Sequence, residues 1–297
     1  MEKQRNKLFG ALIVVAIMAI GFLSTNAKLN NVIRVRDEHN AKVAEALNEE
    51  KFSAEAISVY DITDHKLIFG KNENEPFSMA SLAKILTVLI GLSMESPDRV
   101  VQVSKESIRQ AGDFGIFANE KWKLSDIAKF TLIMSANDGA YAISETNPQI
   151  LNRMNIFAQK MGLKRTYFNN VTGLDVYEDC RVCMDQPGAV TTAQEMNLIS
   201  AFALESNPEI FGVTALPTIT LQSESGFLHT FTNTDILIGK IPNLLFSKTG
   251  YTKLSGGNLS IILKDKDSHL IAVTVLSSTY NGRFEDMEKI VNVLYND

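Results

Sequence analysis

Strand-like sequence lies at both ends of the chain and helical sequence lies between them, and few architectures accommodate that order. Residues 56–62 and 67–69 are β-rich runs on either side of Thr63-Asp64-His65-Lys66, which predicts a hairpin. Residues 245–251, 258–263 and 270–276 are further strand-like runs near the other end. Between them, Leu82, Ile85, Leu86, Leu89 and Ile90 recur at helical spacing, which predicts a buried helix over 81–92. Helical patterns also run over 124–142, 148–161 and 192–204, and residues 284–295 close the chain as a helix. The order predicts an α+β fold: an antiparallel sheet built from both chain ends, packed with a helix-rich central region. There is no internal repeat and no Gly/Ser linker after residue 50, so residues 51–297 are expected to form one catalytic domain.

The first fifty residues have a different texture. Lys3, Arg5 and Lys7 face only Glu2 and precede an uncharged run from Leu8 to Leu23. This is the layout of a signal peptide or a signal-anchor helix over residues 1–27, with Thr25-Asn26-Ala27 as a small-residue cleavage site. As a helix the run spans about 24 Å, short of a hydrocarbon core of about 30 Å. Residues 28–50 are polar and are expected to form a stalk, helical over 36–50. The reading predicts an extracytoplasmic protein held at the membrane by its N-terminal helix if that helix is uncleaved. The formal charge is −5; with a net +2 in the first seven residues, the rest carries −7. So acidic a body has no electrostatic footprint for nucleic acid.

Cys180 and Cys183 are the only cysteines, and the four histidines are scattered, so no metal site is expected. The Cys-x-x-Cys pair lies in loop-like sequence, where an exported protein is expected to close it as a disulfide.

Three short motifs carry the chemistry. Ser81-Leu82-Ala83-Lys84 places a hydroxyl and an amine three residues apart, on one face of a helix. Ser-Lys is a recognised nucleophile–base pair. The lysine must be neutral to accept a proton, and apolar neighbours together with a second cation, Lys248, would lower its pKa. Ser135-Ala136-Asn137 and Lys248-Thr249-Gly250 follow in order. A Ser-x-x-Lys string alone arises by chance about once in a chain this long. The ordered set of three is far more restrictive.

Over residues 53–297 the chain resembles the serine D-alanyl-D-alanine carboxypeptidases, the low-molecular-weight penicillin-binding proteins. The likeness is carried by residues 80–87 around the nucleophile and by Ser135-Ala136-Asn137-Asp138. It continues through Gly162-Leu163, Thr166, Phe168, Gly173-Leu174-Asp175 and Ser247-Lys248-Thr249-Gly250-Tyr251-Thr252-Lys253, then Gly256-Gly257 and Arg283-Phe284. The resemblance implies that Ser81 attacks the carbonyl between the last two D-alanines of a peptidoglycan stem peptide while Lys84 takes its proton. Ser135, helped by Lys248, would relay a proton to the leaving amine. Asn137 would hold the substrate amide and contact Lys84, and Lys248 and Thr249 would bind the terminal carboxylate. The backbone N–H groups of Ser81 and Tyr251 would form the oxyanion hole. β-Lactams would be covalent inhibitors, and no cofactor is implied. Two rival readings share the fold. A β-lactamase needs a deacylating Glu, and the nearest string, Glu195-x-x-Leu198-Ile199, lacks the accompanying Asn. A catalytically silent penicillin-binding sensor would be expected to lose some of Ser81, Lys84, Ser135, Asn137 and Lys248, all of which are present.

Overall fold

The computed structural model describes residues 33–176 and 185–296. The expectations for the N-terminal apolar run and for the Cys180–Cys183 pair lie outside the described residues.

The chain opens with a helix, α1, over residues 33–49. A hairpin follows, formed by β1 (Ala56–Asp61) and β2 (Lys66–Lys71), as the sequence predicts. The middle of the chain contains β3 (Phe77–Ser78), α2 (Ala83–Met94), β4 (Val100–Gln102), α3 (Lys105–Ile108), β5 (Lys121–Lys123), α4 (Leu124–Ile133), α5 (Asn137–Glu145) and α6 (Ile150–Lys160). Next come β6 (Tyr167–Phe168), β7 (Ala189–Thr191), α7 (Ala193–Ser206), α8 (Pro208–Phe211) and the hairpin of β8 (Thr218–Gln222) and β9 (Leu228–Thr232). Three long strands, β10 (Leu244–Thr252), β11 (Gly256–Lys264) and β12 (Leu270–Ser278), lead into the closing helix α9 (Gly282–Asn296).

The main sheet has the order β10-β11-β12-β1-β2 and is antiparallel throughout. Both of its faces are covered, which is why β11 and β12 are apolar with little alternation. Period-two geometry still sorts the side chains. Ile57, Val59, Leu259, Ile261, Val273 and Val275 join a core with α1 and α9. Ala56, Ile262, Ala272 and Leu276 face the larger core built by the central helices. The result is three layers, with the sheet in the middle.

Two expectations are corrected. Residues 33–49 are helical but do not stand free as a stalk. Arg36, Val43 and Leu47 recur on one helical face and are buried, the two aliphatic residues in the core with α9. Arg36 bonds Asp61 at 2.8 Å and Asp265 at 2.6 Å. Polar composition hid a narrow apolar stripe. The predicted helix over 124–142 is two helices, because the chain leaves α4 at Met134 and Ser135 takes φ +59° before α5 begins. A positive φ is costly for a side chain other than glycine, and such strain is stored where function needs it.

Candidate active site

Ser81 lies in a single 3₁₀ turn, Ala80–Leu82, leading directly into α2. The preceding residue, Ala80, has φ +48°. The kink is braced by glycines. A methyl group on Gly173, itself at φ +76°, would fall 1.9 Å from the Ala80 carbonyl oxygen. One on Gly250 would fall 2.9 Å from Met79 O and 3.2 Å from Ser81 N. The backbones of β10 and of the 170–175 segment therefore press against the serine turn as no other residue would permit.

Lys84, three residues after Ser81 and in the first turn of α2, is wholly buried. Its Nζ lies 2.7 Å from Ser81 Oγ and donates to the Thr172 carbonyl at 2.8 Å. Burial lowers its pKa to about 7, with the Asp138 charge pulling the other way. Across the cleft, Lys248 Nζ donates to Ser135 Oγ and to the Thr249 carbonyl, both at 2.8 Å. Lys248 is pushed well below the ordinary lysine value, first by burial and then by Lys84 and Arg283. Burial is the leading cause at both lysines, and the repulsion between the two cations acts on them as a pair. Asp138 is also buried and shifted up to about 6, chiefly by burial.

The structure thus brings Ser81, Lys84, Ser135, Lys248, Thr249, Gly250 and Tyr251 around one cleft, with Asn137 in its lining. The cleft measures about 360 Å³. A depression of similar size between α5 and α6, about 370 Å³, lacks any such set of paired hydroxyls and amines. One expected contact differs. Asn137 Nδ2 donates to the Ala111 carbonyl at 2.6 Å, and its Oδ1 meets no hydrogen-bond partner. The amine of Lys84 is spent on Ser81 and Thr172 instead. Glu195 is not a candidate for activating water here. It accepts from Thr166 Oγ1 at 2.6 Å and from Arg165 N at 3.1 Å, in the first turn of α7.

Sequence reasoning missed three contributors. The Thr172 carbonyl holds Lys84, and no side-chain pattern announces a carbonyl. Asn170 builds that turn, its Oδ1 accepting from Thr172 N and Gly173 N. Arg283 had been noted only as part of a likeness. It lines the cleft at the start of α9, donates to the Gly250 carbonyl at 2.8 Å, and stacks 4.5 Å from the centre of the Tyr280 ring. Among the described residues no carboxylate pairs with it, and its Nε is buried without a partner. Tyr280 in turn packs edge-on against the Tyr251 ring at 5.0 Å.

This geometry places a nucleophile against a lysine that is half neutral near pH 7, a second hydroxyl–amine pair opposite, and a cationic end beyond them. Comparison with known proteins fits it. DacD, a D-alanyl-D-alanine carboxypeptidase of Escherichia coli, is 26% identical over 252 residues, covering 78% of this chain and 60% of that protein. DacF of Bacillus subtilis, also a D-alanyl-D-alanine carboxypeptidase, is 27% identical over 242 residues, covering 77% and 59%. The chain therefore spans about 60% of the length of these relatives. The crystal structure of penicillin-binding protein D2 from Listeria monocytogenes in its ampicillin-bound form superposes with a TM-score of 0.68 at 26% identity, covering 82% of this chain and 98% of that one. The peptidase S11 family model, D-alanyl-D-alanine carboxypeptidase, matches residues 41–279, and the chain belongs to that family.

Proposed function

We propose that the protein is a serine-type D-Ala-D-Ala carboxypeptidase that removes the terminal D-alanine from peptidoglycan stem peptides. The observation that carries this reading is the 2.7 Å approach of a buried Lys84 amine to Ser81 Oγ, with its pKa lowered to about 7. An amine in that state accepts the hydroxyl proton as Oγ attacks the penultimate D-alanyl carbonyl. The backbone N–H groups of Ser81 and Tyr251 stabilise the oxyanion. As the tetrahedral intermediate collapses, Lys84 gives that proton up and Ser135, helped by Lys248, relays it to the amine of the departing D-alanine, so Lys84 is neutral again. Water then attacks the Ser81 ester with Lys84 taking its proton, and Lys84 returns that proton to Ser81 Oγ as the shortened peptide is released.

The free carboxylate of the substrate falls to Thr249, Lys248 and Arg283. Arg283 is the strongest of these: burial lowers it too, but a guanidinium starts from a far higher value than an ammonium and keeps its charge. Peptides amidated at the C-terminus would forfeit these charge-assisted bonds and react poorly. β-Lactams acylate the same serine and, with Glu195 committed elsewhere, are hydrolysed slowly, which disfavours the β-lactamase reading. A silent sensor is disfavoured by the two intact hydroxyl–amine pairs. The protein works on the outer side of the cytoplasmic membrane, attached by residues 1–27, with Cys180 and Cys183 joined.

The test is incubation with a fluorescent penicillin and, separately, with a peptide ending in D-Ala-D-Ala. Mass spectrometry should find the penicillin adduct on the Ser81 peptide, Ser81→Ala should remove it, and D-alanine should be released from the peptide. Rapid penicillin turnover without D-alanine release would overturn the assignment.

A further inference from the structure

On a protein of formal charge −5, α6 carries two cations and no acidic residue. Arg153 and Lys160 lie seven residues apart on one helical face, with Ile156 and Phe157 between them. Together with Ile90 and Met94 at the end of α2 they line a groove of about 400 Å³. Beyond it the apolar surface continues: the Phe157 ring packs edge-on against Phe202 of α7 at 5.2 Å, and Phe202 and Met161 are 37% and 38% exposed. Lys164 follows four residues after Lys160, beyond the end of α6 and the turn at Gly162. Among the described residues, neither Arg153 nor Lys160 nor Lys164 forms an ion pair within 4 Å. Glu95, tied to Arg99 at 2.8 Å, and Glu205, one turn beyond Phe202, bound the patch.

Basic side chains around half-buried Ile156 and Phe157 and the more exposed Met161 and Phe202 form the pattern of a face that rests in a membrane interface. The rings reach the acyl boundary and the cations meet anionic headgroups. On a chain of net charge −5 only such a local basic patch would be drawn to a negative surface, so it would also orient the molecule. We propose that the α6 face, from Arg153 to Lys164 with Phe157 and Phe202, docks on an anionic phospholipid surface. The proposal is independent of the reaction assigned to the cleft. It requires only that the folded protein meets a bilayer.

The test uses the full chain bound to phosphatidylcholine vesicles with and without about one third phosphatidylglycerol, read by hydrogen–deuterium exchange. Because the readout is local, binding by the N-terminal apolar run does not obscure it. Peptides covering 150–164 and 200–206 should exchange more slowly on the anionic vesicles than on the neutral ones. At roughly fivefold in partitioning per basic residue, removing the two cations with Arg153→Gln/Lys160→Gln should weaken docking about 30-fold and erase the difference. Penicillin labelling of the variant at the wild-type rate would show that the fold is intact. No phosphatidylglycerol-dependent protection of α6 overturns the proposal. So does protection that persists in the double variant, or that appears only when an acidic protein is supplied in place of lipid.

Discussion

At the scale of single residues, the site depends on keeping two lysines out of water. Lys84 is an efficient base because burial holds its pKa near 7, where a neutral fraction coexists with useful basicity. Lys84→Ala should slow acylation by about 10²–10⁴-fold, measured by stopped-flow with a fluorescent penicillin. The acylation rate of the wild-type protein should rise with pH through a midpoint close to 7 and level off above it, since only the unprotonated amine accepts the proton. The same shift has a signature in stability. Between about pH 7 and the ordinary value of 10.5, the unfolded chain binds a proton at this lysine that the native protein lacks. Native stability from this group therefore grows with pH across that window and is least below it.

At the scale of elements, close backbone approach matters as much as side-chain chemistry. Gly250→Ala would set a methyl group 2.9 Å from Met79 O, on rigid backbone with nothing flexible to yield. β10 must then withdraw from the serine turn. A displacement of about 1 Å at such a site costs on the order of 100-fold in rate. Steady-state D-alanine release should fall by that much while thermal melting changes far less. Asn197 of α7 shows a different kind of element coupling. It is fully buried against the sheet, donating to Ser58 O at 3.1 Å and accepting from Thr274 Oγ1 at 2.7 Å. Asn197→Leu removes both bonds, leaving Thr274 Oγ1 only its bond to Ser260 Oγ at 3.0 Å, and should lower unfolding stability by about 1–3 kcal/mol in a denaturant titration.

Much of this was legible in the sequence. The hairpin of β1 and β2 and the long strands β10 to β12 follow from apolar runs bounded by turn residues, and Ser81 with Lys84 from helical spacing. What escaped has physical reasons. The break at Ser135 runs against the helical period because the local conformation is strained, and periodicity cannot foresee strain. The hydrogen bond from Lys84 to the Thr172 carbonyl joins segments 88 residues apart through a backbone atom. The role of α1 was lost because only Val43 and Leu47 of its apolar residues are buried, while Ile33 and Val35 are exposed, so no regular apolar stripe shows in the sequence.

At the scale of the whole molecule, α1 is fastened by ions as well as by apolar contact. Asp61 is fully buried and accepts from Arg36 and from His269 Nδ1, the latter at 2.9 Å. Burial alone would raise the Asp61 pKa, but the Asp64 N–H, Arg36 and His269 outweigh it and the net direction is down. Arg36→Ala strands Asp61 and Asp265 and should cost about 3–5 kcal/mol, read as a drop in the unfolding midpoint. A depressed carboxylate contributes its stability above the unfolded value of 3.8 and loses it as pH falls below. The gap between wild type and variant should therefore narrow in acid.

The pairing of β1 with β12 also has a temporal consequence. Ala56 lies opposite Leu276, so β1 finds its second neighbour, β12, only after some 220 further residues exist. A chain emerging from a ribosome or a translocation channel in order holds β1 and β2 as a lone two-stranded ribbon, which is marginal in water. The long-range contacts also make the search slow. Neither the cleft wall on β10 nor the floor beneath α7 exists until residues 244–278 have been made. Such a protein acquires its activity in one step that waits for those strands, and until then it is exposed to whatever chaperones and proteases attend the growing chain.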